Sequence, residues 1–192
     1  MRHVRRYRVA GAAMAALLVL VGVAPAHAQR ACGVDRWPVK ILADRDRRAV
    51  NLVDVVASSV RDLGLLDIPE VRYPDDRRLP PHELRLYRVT AIVWQIITAE
   101  ADGDWHIVLR DPSDSSTMIV EIPNPECTTD PTLAATFEAA RAALRRVPRR
   151  GRATFTGVGF WDFIHNQRGR ARNGFELHPV LQVEPSTPRL SR

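Results

Sequence analysis

Three consecutive runs of alternating residues, one capped amphipathic helix and two further β-type runs predict a mainly β chain. That order is the order of an OB-fold-like five-stranded barrel with a helix between its third and fourth strands. The chain has 192 residues, 45% of them hydrophobic, which suffices for one core. Leu, Ile and Val recur throughout despite 14 Pro and 10 Gly, which excludes a disordered or collagen-like chain.

The first barrel strand is read from Tyr87, Val89, Ala91 and Val93, which alternate with Leu86, Arg88, Thr90, Ile92 and Trp94 over residues 84–99. Apolar residues on both faces imply burial on both. Asp102-Gly103 is a hairpin turn signal. Trp105, Ile107 and Leu109 then alternate with His106, Val108 and Arg110, so a second strand ends at Asp111-Pro112. A third strand, residues 117–122, puts Met118, Val120 and Ile122 on one face. The helix follows, with Asp130 as N-cap, Pro131 at the first helical position and a stripe of Leu133, Phe137, Ala140 and Leu144 ending near Pro148. Arg141, Arg145, Arg146, Arg149 and Arg150 cluster toward its end, where cations oppose the helix dipole; they read as helix stabilisation rather than a nucleic-acid patch. The fourth strand lies within 153–163, and Gly157 and Gly159 mark close backbone approach there. After a polar loop, the fifth strand covers 175–183 with Phe175, Leu177, Leu181 and Val183 on one face, and residues 185–192 form a flexible tail.

Residues 29–82 form a short mixed extension expected to pack on the barrel. Val39 to Leu42 suggests a short strand, and Ser58 or Ser59 caps a helix reaching Leu66. Pro69, Pro74, Pro80 and Pro81 punctuate a loop whose Asp75-Asp76-Arg77-Arg78 reads as solvated surface.

Residues 1–28 have the form of a secretory signal peptide. Arg2, Arg5, Arg6 and Arg8 precede an apolar run, and Ala26-His27-Ala28 offers a small-x-small cleavage site. The expected location is periplasmic or extracellular, with no stable membrane span after cleavage. The whole sequence carries a net charge of +6, from 28 basic and 22 acidic residues. Removing the four arginines of the signal leaves 24 basic residues against 22, a net of +2. A strongly basic surface is therefore excluded for the mature chain. Cys32 and Cys127 are the only cysteines, and in an oxidising compartment an even count favours one disulfide.

Residues 157–179 read Gly-Val-Gly-Phe-Trp-Asp-Phe-Ile-His-Asn-Gln-Arg-Gly-Arg-Ala-Arg-Asn-Gly-Phe-Glu-Leu-His-Pro. This stretch resembles the C-terminal signature of a family of uncharacterised secreted bacterial proteins. In that signature a Gly-Phe-aromatic-Asp-Phe stretch is followed by His, Gln, Gly and Asn and then Glu-Leu-His-Pro. The similarity also touches Val50-Asn51-Leu52, Tyr87-Arg88-Val89 and the run from Met118 to Pro123. The resemblance implies Asp162, His165, Gln167, Gly169, Asn173, Glu176 and His178 as signature positions and brings no activity with it. Asn166 departs from the Gly associated with its place.

On the fifth strand Glu176 and His178 are two apart and share a face, with Asp162 and His165 just upstream. The loop between the fourth and fifth strands is one of two that frame the ligand groove of an OB barrel. Binding without turnover is the leading expectation. Trp161, His165, Asn166, Gln167, Arg168, Arg170, Arg172 and Asn173 would engage a polar or anionic ligand by stacking, amide hydrogen bonds and charge. Secretion favours an oligosaccharide or envelope component over nucleic acid. The alternative is a metal-assisted hydrolase, nuclease- or phosphodiesterase-like, in which Asp162, His165, Glu176 and His178 are the catalytic residues and the ligands of a divalent metal that activates water. No other cofactor is implied. A latch is the third reading, with Asp162 bonding His165 and Glu176 pairing with Arg172. His106 reads as a locally satisfied strand histidine, and Asp102 and Asp104 as turn residues.

Overall fold

The computed structural model describes residues 32–164 and 166–186. The expected signal segment, His165 and residues 187–192 lie outside the described residues. In chain order the elements are α1 (Trp37–Lys40), β1 (Asn51–Ser58), α2 (Val60–Leu63), β2 (Arg85–Ile97), β3 (Trp105–Arg110), β4 (Thr117–Ile122), α3 (Pro131–Leu144), β5 (Arg152–Trp161) and β6 (Phe175–Pro185).

The sheet order is β1-β2-β3-β4-β6-β5, and an additional β2–β5 pairing closes it. Strands β2 to β6 therefore form a closed five-stranded barrel. The β4–β6 pair is parallel and the other barrel pairs are antiparallel. The helix α3 stands between the third and fourth barrel strands, so the architecture is the expected OB-like barrel.

Alternation built it as anticipated on the first three strands. Val89, Ala91, Val93, Ile107, Leu109, Met118, Val120 and Ile122 all point into one core, which α3 plugs with Phe137, Ala140 and Leu144. Asp130 caps α3, its Oδ1 accepting from the Thr132 and Leu133 amides at 2.9 and 3.3 Å. Gly157 and Gly159 are sites of close approach: a Cβ would lie 2.9 Å from the Pro179 carbonyl oxygen at the first and 2.5 Å from the His82 carbonyl oxygen at the second.

Five expectations are corrected. Burial on both faces of the first barrel strand does not hold along β2: its outer face leaves Arg88 and Thr90 exposed, with Trp94 at 37% and Ile96 at 41%. Val39 to Leu42 is not a strand: Pro38 sits in the first turn of α1, where its fixed φ suits a helix. The helix capped by Ser59 spans a single turn, the Ser59 Oγ accepting from Asp62 N at 3.0 Å. On β6 the inward parity runs Phe175, Leu177, Val180, Val183, with Leu181 only partly buried; register shifts where β5 passes Gly157 and Gly159 displace the alternation by one. Arg78 is buried, not solvated, and forks onto Asp44 at 2.7 Å.

A strand absent from the expected set, β1, adds parallel to the outer edge of β2. The extension 32–84 is tied down by a second buried ion pair. Arg36, 1% exposed, donates to Glu83 Oε1 and Oε2 at 2.6 and 2.8 Å and to the Trp161 carbonyl at 2.8 Å. Cys32 and Cys127 form the expected disulfide. It is compatible with an extracellular or periplasmic location. Among the described residues no helix is long and apolar enough to cross a membrane.

Candidate functional site

A residue on a barrel strand faces either the core or the outside, and the outward parity of β3, β4 and β6 carries His106, Glu121, Glu176 and His178. An antiparallel sheet normally presents such residues to water. Here they are covered: His106 is 4% exposed, Glu121 8%, Glu176 2% and His178 0%, with Asp104 at 0% and Asp162 at 7%. The cover comes from the N-terminal segment on one side and the 162–174 loop on the other. That loop is seated over the outer face of β3 by Gly169, whose φ is +89° and whose Cβ, if present, would lie 2.4 Å from Val108 Cγ1. Asn173 anchors its far end, its Nδ2 donating to the Leu63 and Leu66 carbonyls and its Oδ1 accepting from Phe175 N.

What remains open is a cavity of about 240 Å³ lined by Asp35, Lys40, Glu100, Asp102, His106, Glu121, Asp162, Phe163 and Gln167. It lies between the β2–β3 loop and the β5–β6 loop, the position of the OB ligand groove.

Below the opening the charged groups are interlocked. His106 Nδ1 lies 2.8 Å from Glu121 Oε1. His178 Nδ1 is 3.3 Å from Glu121 Oε2, and its Nε2 is 3.3 Å from Asp104 Oδ2. The backbone around Asp104 is held from α3: Arg141 Nη2 donates to the Gly103 carbonyl at 2.7 Å and the Ile122 carbonyl at 3.0 Å. Arg141 is thus a buried clamp, where the sequence suggested a solvated helix end.

Burial opposes the charge on His106, but its hydrogen bond to Glu121 and the charges of Glu121, Glu100 and Asp162 raise its pKa. Burial would also raise Glu121; the His106 hydrogen bond and the charges of His178, Lys40 and His106 overcome it and hold Glu121 below its ordinary value. Glu176 goes the other way. Burial pushes it well up, and the negative charges of Asp162 and Glu121 add to that, against Lys40. Lys40 stays protonated despite burial because Glu121, Asp162, Glu176 and Asp104 surround it.

Of the residues anticipated for this site, Asp162, Glu176 and His178 are brought together and Gln167 lines the opening. His165 lies outside the described residues. Asn166 and Arg168 are exposed on the loop. Trp161 offers no stacking face: it is 1% exposed, with its ring edge-on to Phe175 in the core. Asn173 spends its amide on the backbone. Arg170 and Arg172 line a different cavity, of about 570 Å³, with Arg61 and Asp114, so Arg172 does not pair with Glu176. Lys40, Asp104, His106 and Glu121 belong to the site; Lys40 and Glu121 were not anticipated, while the sequence reads His106 as a locally satisfied histidine and Asp104 as a turn residue. The available signal was their position: Glu121 and His106 occupy the outward parity of β4 and β3 next to the parity of Glu176 and His178.

A group able to hold a metal exists among the described residues: one ligand atom from each of Asp104, Glu121 and His178 lies within 4.8 Å of the others.

No family model matches the sequence, and no curated protein matches it significantly. Among solved structures the chain is similar to OBody AM3L09 bound to hen egg-white lysozyme, at 11% identity over 53% of this chain and 80% of that one, with a TM-score of 0.37. It is also similar to Entamoeba histolytica asparaginyl-tRNA synthetase, at 15% identity over 73% of this chain, with a TM-score of 0.39. The match spans 26% of the synthetase chain. The strand order given above, and not these likenesses, defines the barrel.

Proposed function

We propose that this chain is an exported OB-barrel binding protein whose groove, between the β2–β3 and β5–β6 loops, takes a hydroxyl-rich polar ligand of the oligosaccharide class. The observation that carries the reading is the composition of the cavity. Asp35, Glu100, Asp102, Glu121 and Asp162 supply carboxylates that accept hydrogen bonds from hydroxyls, and Phe163, 45% exposed and stacked on Tyr73 with ring centroids 5.4 Å apart, supplies apolar ring surface for a pyranose. Five acids against Lys40 and His106 repel phosphate, so the anionic ligand suggested by the loop arginines gives way to a neutral or amino sugar. The volume is below the ~300–1,000 Å³ that encloses a drug-sized ligand, which suits one sugar residue of a chain held at a time.

The test is calorimetric titration of the disulfide-intact mature chain, in chelator, with a panel of neutral, amino and acidic oligosaccharides and a short oligothymidylate. The expected result is saturable binding of a neutral or amino saccharide, weakened at least tenfold by Phe163→Ala and by Asp102→Asn. Binding of the oligothymidylate alone, or of nothing in the panel, overturns the reading.

The metal-assisted hydrolase is the second reading, favoured by two buried carboxyls, Asp162 and Glu176, of which burial and the neighbouring negative charges push Glu176 upward, the direction a general acid needs. Shortening of a bound oligosaccharide over time would establish it in place of simple binding.

A further inference from the structure

Two carboxylates at the floor of the groove are each half occupied. Asp104 Oδ1 accepts from the Asn124 amide at 2.8 Å, and Oδ2 has no hydrogen-bond partner. Glu121 Oε1 faces His106 Nδ1 at 2.8 Å, leaving Oε2 toward His178. His178 is 0% exposed, and neither of its ring nitrogens makes a hydrogen bond.

We propose that Asp104, Glu121 and His178 form a binding site for a divalent first-row cation, Zn²⁺ or Mn²⁺, at the base of the groove. Asp104 Oδ2 and both His178 nitrogens are buried without hydrogen-bond partners, which is costly, and a cation would satisfy Asp104 Oδ2 and one of the two nitrogens. If the imidazole merely bridged the two acids as a donor, its N–H groups would align with their oxygens. They do not, although both separations, 3.3 Å, are within reach. A cation takes one of the two ring nitrogens, and the 3.3 Å from that nitrogen to its nearer carboxylate oxygen equals one edge, roughly 3.3–3.4 Å, of a tetrahedron built on bonds of ~2.0–2.1 Å; the third ligand atom lies within 4.8 Å of the other two. One imidazole nitrogen with carboxylate oxygens suits Zn²⁺ or Mn²⁺ rather than a thiolate-seeking ion, and both cysteines are committed to the disulfide. The surroundings are those of a built site. The Asn124 amide and His106 fix the unused carboxylate oxygens, as outer partners of metal ligands do, and Arg141 fixes the carbonyls of Gly103 and Ile122 beside them. The site is independent of which ligand the groove takes, because none of its three ligands needs a sugar to position it.

The test is titration of the chelator-stripped, disulfide-intact mature chain with ZnCl₂ and with MnCl₂, followed by calorimetry and by X-ray absorption on the loaded protein. Expected are saturation at one equivalent for at least one metal, an all nitrogen-and-oxygen shell, and at least about tenfold weaker binding in each of Asp104→Asn and Glu121→Gln. The surface variant Asp114→Asn should bind as the parent does. These near-isosteric changes preserve the barrel, which circular dichroism verifies, whereas His178→Ala, in a fully buried place, serves only as support. No binding of either metal, or undiminished binding in the folded Asp104→Asn and Glu121→Gln variants, overturns the proposal. The saccharide titration is run in chelator, so failure there leaves the metal result standing and the reverse also holds.

Discussion

Arg36 and Glu83 show how a single buried pair organises the approach to the groove. The guanidinium forks onto the carboxylate, donates onward to the carbonyls of Trp161, Pro74 and Arg77, and lies over the Phe160 ring at 4.8 Å. Glu83 also accepts from Leu79 N and Trp161 N, so its two oxygens are filled and the end of β5, from which Asp162 follows, is fixed. A buried ion pair is often replaceable by apolar residues of the same volume, yet removing one member strands the other. Here even a double apolar replacement would orphan two backbone amides. Arg36→Met should therefore lower unfolding free energy by about 3–5 kcal/mol, read from urea midpoints at constant m. A loss under about 1 kcal/mol would mean that the surrounding amides alone hold the carboxylate. A double-mutant cycle with Glu83→Gln separates the ion pair from those amide contacts.

At the scale of elements, legibility followed exposure. The bounds of β3 and β4 were readable to the residue because one face of each is core and period two is then unambiguous. β1 was missed because Asn51 to Ala57 are exposed throughout, and a strand without a buried face leaves no alternation to read. The site divided in the same way. Glu176 and His178 were legible as a same-face pair on one strand, but Asp104, His106 and Glu121 join them only when the barrel closes. Polar residues on an outward face are the default for an antiparallel sheet, so nothing local separated a covered cluster from a solvated one. The cover itself is tertiary, and Gly169 is its hinge pin. Gly169→Ala places a side chain in the left-handed region, at about 1–2 kcal/mol, and drives a methyl into Val108. The 162–174 loop should lift from β3, abolishing saccharide binding while the barrel still unfolds cooperatively. Adding Val108→Ala removes the two Cγ clashes but leaves the Cβ at 3.2 Å, so it should recover only part of the affinity, with the backbone strain also persisting. If Gly169→Ala alone binds and melts as the parent does, the loop is not seated as described.

For the whole molecule, the question is how an N-terminal extension with so little regular structure becomes a wall of the groove. It contributes Asp35 and Lys40 to the cavity; the Arg36–Glu83 and Arg78–Asp44 pairs hold its own fold together, Arg36 and Glu83 reach β5 through the Trp161 carbonyl and amide, and the Cys32–Cys127 bridge ties it to the segment after β4. Only the bridge acts on the unfolded chain. It joins residues 95 apart in sequence, and for a loop of that length the chain-entropy model assigns roughly 4–5 kcal/mol. The two ion pairs act on the folded state alone and stay in place when the bridge is opened. The Cys32→Ser, Cys127→Ser variant should therefore fold with the extension still docked, but melt lower by about 10–15 °C at a sensitivity of ~2–4 °C per kcal/mol. Its groove should keep saccharide affinity below the melt, because Lys40 is held by its backbone amide to the Arg36 carbonyl and by the acids around it rather than by Cys32. An unchanged melting temperature with both sulfurs removed would show that the unfolded chain gains no freedom from the loss. An affinity loss well below the melt would show instead that the bridge, and not the ion pairs, sets the groove wall.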